Sequence, residues 1–156
     1  MKKLLFTLVI SISSALTVSA QNATLKNGFY YSADGNLFTG TCSSHFENGK
    51  TKSTFDVVDG KIKDAVTYYY ENGNVMETGA FNNNDKDGQW LRWDEAGHKI
   101  AEAYYVSGKK NGTWLVWDSQ GIKRYEMHYE MSAKVGTWYM WDENGKLTSE
   151  KNYNAL

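Results

Sequence analysis

The chain has 156 residues, a formal net charge of −1, 15% aromatic residues, 14 Gly, no Pro and one Cys. Its near-neutral, mixed charge leaves no footprint for nucleic acid or for an anionic membrane. A lone Cys42 excludes an intrachain disulfide.

In chain order, residues 1–20 read as a signal peptide. Lys2 and Lys3 give a basic start, Leu4 to Leu16 an apolar run, and Val18-Ser19-Ala20 the small residues of a cleavage site after Ala20. The run is too short and too Ser-rich to span a bilayer, so the mature chain is expected to carry no transmembrane segment. The expected mature form begins at Gln21, has 136 residues and a charge of −3, and is exported, to the periplasm or beyond. Residues 21–39 form a lead-in, with Gly28-Phe29-Tyr30-Tyr31 as a capping strand.

Residues 40–156 are governed by a repeat. The pattern Gly-x-Trp-x-x-Trp-Asp-x-x-Gly starts at Gly88, Gly112 and Gly136, 24 residues apart. Gly49, Gly73, Gly97, Gly121 and Gly145 keep the same period, as do Gly40, Asp64, Gly88, Gly112 and Gly136, with one substitution. Val57, Phe81, Tyr105, Tyr129 and Tyr153 form a third series. A fixed period means one supersecondary unit stacked on copies of itself. Each unit reads as two strands, the first from Gln89 to Asp94 and the second from Lys99 to Val106, with equivalents one period on. Asp-x-x-Gly and Asn-Gly supply the turns. The expected fold is all-β: an elongated, open antiparallel meander of about five 24-residue hairpins.

Trp90 and Trp93 stand three residues apart and point to opposite faces, as do Trp114 with Trp117 and Trp138 with Trp141. Both faces therefore carry an aromatic row. A four-residue loop at 94–97 would pair Trp93 with His98 and Trp90 with Ala101, putting Trp90 on the face of Ala103 and Tyr105. A bulge would reverse that assignment. Cys42 occupies the slot of the first Trp and reads as buried packing.

The unit resembles the MORN repeat. Tyr69-Tyr70-Glu71-Asn72-Gly73-Asn74 and Gly112-Thr113-Trp114 through Gly121 are similar to the bacterial MORN-repeat-variant family, over roughly Gly40 to Tyr153. The resemblance implies an open antiparallel sheet. It also implies the YwqK-type role of an antitoxin component, which the export signal would direct to the periplasm or outside the cell. It brings no catalytic residue and no cofactor.

Candidate chemistry is sparse. His45, His98 and His128 fall at different repeat positions, and Glu95-Ala96-Gly97-His98 spans a turn where helical zinc-ligand geometry is lost. Asp94, Asp118 and Asp142 recur because the turn recurs. Asn83, Asp85 and Asp87, with Asp94 at the twelfth position, approximate a calcium loop and form a weak Ca²⁺ candidate. The main binding candidates are the rows Trp90, Trp114, Trp138 and Trp93, Trp117, Trp141, because exposed aromatic strips mark interaction sites. The expected function is a non-enzymatic binding or scaffold module for a protein or peptide partner along a sheet face or edge. An antitoxin-like immunity role and glycan binding are the alternatives.

Overall fold

The computed structural model describes residues 23–153. The expected signal peptide lies outside the described residues. A short hairpin comes first, β1 (Thr24–Lys26) and β2 (Phe29–Tyr31), joined by Asn27-Gly28. Ten strands follow: β3 (Gly40–His45), β4 (Thr51–Val58), β5 (Lys61–Tyr69), β6 (Val75–Asn82), β7 (Asp85–Trp93), β8 (Lys99–Val106), β9 (Lys109–Trp117), β10 (Lys123–Glu130), β11 (Ala133–Trp141) and β12 (Leu147–Asn152). They form one sheet in sequence order from β3 to β12, every neighbouring pair antiparallel. The sheet is an open meander, as the repeat requires, and at about 4.8 Å per strand it extends roughly 50 Å. No helix among the described residues is long and apolar enough to cross a membrane.

The turns explain the register. Asp94 N–H donates to the carbonyl of His98, and the Asp94 carboxylate accepts the N–H groups of Ala96 and His98. This closes a five-residue loop. Trp93 therefore faces Lys99 and not His98, and Ile100 is an extra, bulged residue because Arg92 faces Ala101. Trp90 accordingly faces Ala103, two positions beyond the Ala101 expected from a four-residue loop. A shift of two preserves the side, so the bulge does not reverse the assignment as expected, and Trp90 shares a face with Ala103 and Tyr105. The same bulge recurs at Arg124 and Thr148.

The first strand of each unit also begins earlier than expected, at Asp85 rather than Gln89. Within it, the periodic glycine makes a second bulge. Thr78 faces Leu91 and Ala80 faces Asp87, so residues 88–90 stand opposite Gly79 alone. Gly88, Gly112 and Gly136 take φ of 72°, 66° and 62° there, a left-handed conformation that costs other residues energy. Asp64 fills the slot at φ 63°; Asp and Asn are among the few residues that tolerate it. Bulges of this kind bend a strand and increase its twist.

The face carrying Trp90 is hereafter the inner face, and that carrying Trp93 the outer face. The best-buried cluster lies at the N-terminal end of the inner face, where Tyr30 and Ala23 of the lead-in pack with Cys42, Phe55, Val57 and Val66. Val57 and Val66 are each 1% exposed, and Tyr30 meets Phe55 at 5.4 Å between ring centroids. Gly60 is the docking point. Its carbonyl accepts from Tyr30 N–H and its own N–H donates to Phe38, both at 2.8 Å. A Cβ on Gly60 would come within 2.7 Å of Leu37 and 3.0 Å of the Tyr30 carbonyl, at φ +75°. Gly121, with a similar φ of +80°, has nothing within 4 Å of that position.

Gly60→Ala should therefore cost about 1–3 kcal/mol more than Gly121→Ala, the difference being the overpacking at the docking point. Urea unfolding of the two variants measures it; equal losses would show that the lead-in does not depend on this contact.

Candidate binding faces

On the inner face the aromatic residues interlock into one continuous ladder. Phe81, Trp90, Tyr105, Trp114, Tyr129, Trp138 and Tyr153 follow one another at centroid separations of 5.2, 6.2, 5.1, 5.3, 5.0 and 4.8 Å, with tilted or edge-on rings. These are favourable aromatic geometries. Trp90 and Trp114 are only 2% and 4% exposed, and Trp138 is half-buried. The indoles of Trp114 and Trp138 donate to the carbonyls of Tyr104 and His128 on the preceding strand, at 3.1 and 3.0 Å. Trp90 departs from this pattern. Its ring lies over Gly79, where a Cβ would come within 2.2 Å, and its buried Nε1 has no hydrogen-bond partner.

A lysine completes each rung. Lys86, Lys110 and Lys134 place Nζ 3.4, 4.5 and 4.6 Å from the ring centroids of Trp90, Trp114 and Trp138. Each also lies over the following Tyr. Lys86 additionally pairs with Glu77 at 3.2 Å. Burial pulls the Lys86 ammonium below its ordinary pKa against the opposing pull of Glu77, and it pushes the Tyr105 phenol up to about 12. Sequence reading missed this lysine row, although Lys-x-Gly-x-Trp stands at Lys86, Lys110 and Lys134. The inner Trp row is thus consumed by packing.

The outer face is built differently. Trp93, Trp117 and Trp141 are all half-buried. Lys99 lies 4.5 Å from the Trp117 ring and Lys123 4.2 Å from the Trp141 ring, so each unit leans on the next. The same lysines pair with Glu102 and Glu126 at 3.0 and 2.6 Å. Glu102, Glu126 and Glu150 face Leu91, Leu115 and Tyr139 across the hairpins, forming a carboxylate row one step from the Trp row. A third row pairs Gln89 with Tyr104, Thr113 with His128 and Thr137 with Asn152. Gln89 donates to both Glu102 and the Tyr104 hydroxyl, at 2.9 and 2.8 Å. Thr113 Oγ1 lies 3.2 Å from His128 Nδ1, and His128 Nε2 lies 3.5 Å from Glu126. This hydroxyl–imidazole–carboxylate chain occurs on one rung only. What recurs is a carboxylate beside mixed hydrogen-bonding groups. A shallow depression beside Trp93 is lined by Asn74, Val75, Thr78, Ala96 and Gly97.

The other sequence candidates are not brought together. Asn83 lies in the β6–β7 turn with φ 52°, while Asp85 and Asp87 lie within β7. Asp94 follows the far end of that strand, about 30 Å from Asp85 at the usual rise per residue. One ion cannot bridge that gap, so the four do not form a calcium loop. Asp94 serves its own turn, and the His98 backbone N–H holds its carboxyl below the ordinary value. His98 contacts Asp94 at 3.1 Å, and among the described residues no His, Cys, Asp and Glu cluster could hold a metal.

Two segments, residues 65–83 and 134–155, match the family model described as MORN repeat variant. Each spans one hairpin, β5–β6 and β11–β12 respectively. The hairpins between them keep the same period and the same bulges. No match was found among curated proteins.

The two rows should separate in stability. Trp114→Ala, which empties the ladder, is expected to cost about 3–5 kcal/mol. Trp117→Ala, on the outer face, should cost less than about 2 kcal/mol. Chemical unfolding followed by circular dichroism compares them, and equal costs would mean that both faces are structural.

Proposed function

We propose that the protein is an exported, non-enzymatic binding or scaffold module that holds an extended partner across the outer face, with the inner ladder as its spine. MORN repeats are commonly binding modules, and two segments of the chain match them. The observation that carries the reading is the Trp93–Trp117–Trp141 row: three half-buried indoles, one per hairpin, on a face that no second strand layer covers among the described residues. Each strand of the sheet makes its main contacts with its sheet neighbours. Aromatic anchors at constant spacing suit a partner that lies along several units, since Trp is a favoured hot-spot residue. The protein or peptide partner expected from the sequence would meet this face or the adjoining edge strand β12, whose residues are all exposed. An immunity role against an envelope-acting toxin would use the same surface and would register as a protein partner.

Export rests on residues 1–20. Fractionation of producing cells, with N-terminal sequencing, should recover a form starting at Gln21 outside the cytoplasm. A full-length form confined to the cytoplasm would remove this part of the proposal.

Partner capture from envelope fractions should fall when Trp117 or Trp141 is replaced by Ala, with the circular dichroism spectrum unchanged. Capture that survives both substitutions would mean that the outer face is not the site.

A further inference from the structure

The chemistry of the outer face narrows the class of partner. We propose that it takes an uncharged, extended β-1,4-linked hexose polymer, laid across the strands along the Trp93–Trp117–Trp141 row; this rests on the outer face being the binding face.

Pitch is the first argument. Successive Trp residues are two strands apart, which sets a spacing of about 10 Å. One disaccharide step of an extended β-1,4-linked chain has about this length. Its sugar rings can therefore meet successive indoles in register, C–H faces against ring edges and faces.

Charge is the second. Lys99–Glu102 and Lys123–Glu126 neutralise the first two rungs internally, while on the third Leu147 holds the lysine's place beside Glu150. A polyanion meets the carboxylate row, and a polycation meets the two lysines. Neither gains from the surface as a whole, so a neutral polymer fits it best.

Hydrogen-bonding capacity is the third. Glu102, Glu126 and Glu150 are acceptors only, and each carboxylate can take several donors. Sugar hydroxyls supply donors at every unit, and they also accept from Lys99 and Lys123.

Peptides match less well. In an extended peptide, side chains on one face recur every ~7 Å, out of step with the rungs. A polyproline helix turns every ~9 Å, close to the pitch. Proline nitrogen carries no N–H, however, so the carboxylate row would lack donors.

Titration calorimetry with cellohexaose and chitohexaose tests this. Saturable binding is expected for the β-linked hexasaccharides, with at least roughly tenfold weaker binding of the trisaccharides, which cannot reach across the row. Maltohexaose, whose α-linkages coil the chain, should be silent. Trp117→Ala should weaken binding at least about tenfold, as for an aromatic anchor. Trp141→Ala, nearer the open end of the sheet, should do the same, and unchanged circular dichroism guards against misfolding. Silence of both β-linked hexasaccharides, or equal binding of maltohexaose, overturns the proposal. If they are silent while a polyproline peptide or an envelope protein binds in a Trp117-dependent manner, the glycan assignment falls and the outer-face reading stands. If sugar binding survives both Trp substitutions, both fall.

Discussion

A single-layer sheet has no second layer to bury its apolar side against, and the ladder of rings on the inner face is how this chain meets that constraint. Each Trp packs between the Phe or Tyr of the strands around it, at separations of 4.8 to 6.2 Å from Phe81 to Tyr153. Burial comes from lateral contact within the face. The indoles of Trp114 and Trp138 belong to the same device, bonding carbonyls of the preceding strand beside the bulge at the periodic glycine. Lys86, Lys110 and Lys134 then place a cation against the rings. Each such contact contributes about 0.5–2 kcal/mol, according to how far it is desolvated.

The same constraint separates the faces. Once the inner row is committed to holding hairpins together, the outer row is free to differ from unit to unit. Its third row reads Gln89–Tyr104, Thr113–His128 and Thr137–Asn152. The Trp and the Glu stay constant. A scaffold that varies the groups beside fixed indoles can tune recognition without disturbing its spine.

The two ends are unequal. At the N-terminal end, the lead-in hairpin covers the first strands and supplies Tyr30 to the best-buried cluster. At the other end β12 is exposed throughout, Met140 and Leu147 are 37% and 45% exposed, and the ladder stops at Tyr153. Terminal units of repeat arrays are expected to be atypical because one side has no neighbour. Here only one of the two carries a cap among the described residues. Glu150 and Lys151 on β12 discourage uncontrolled pairing at the open edge.

Much of this was legible from residue spacing. The 24-residue period determined a meander of hairpins, Asp94-x-x-Gly97 and its equivalents located the turns, and the three-residue step from Trp90 to Trp93 placed one indole on each face. Cys42, standing in a Trp slot, was readable as a packing residue and is 2% exposed. Register was not legible, because strand pairing depends on how many residues the loop and its bulge absorb. Asp94 capturing the His98 N–H and Ile100 bulging out are choices of backbone geometry that residue types do not encode. Nor could spacing tell which Trp row would be buried. That was decided by the rings from Phe81 to Tyr153 interlocking across neighbouring strands, and by the indoles of Trp114 and Trp138 bonding carbonyls of the strand before, contacts that exist only once the hairpins lie side by side.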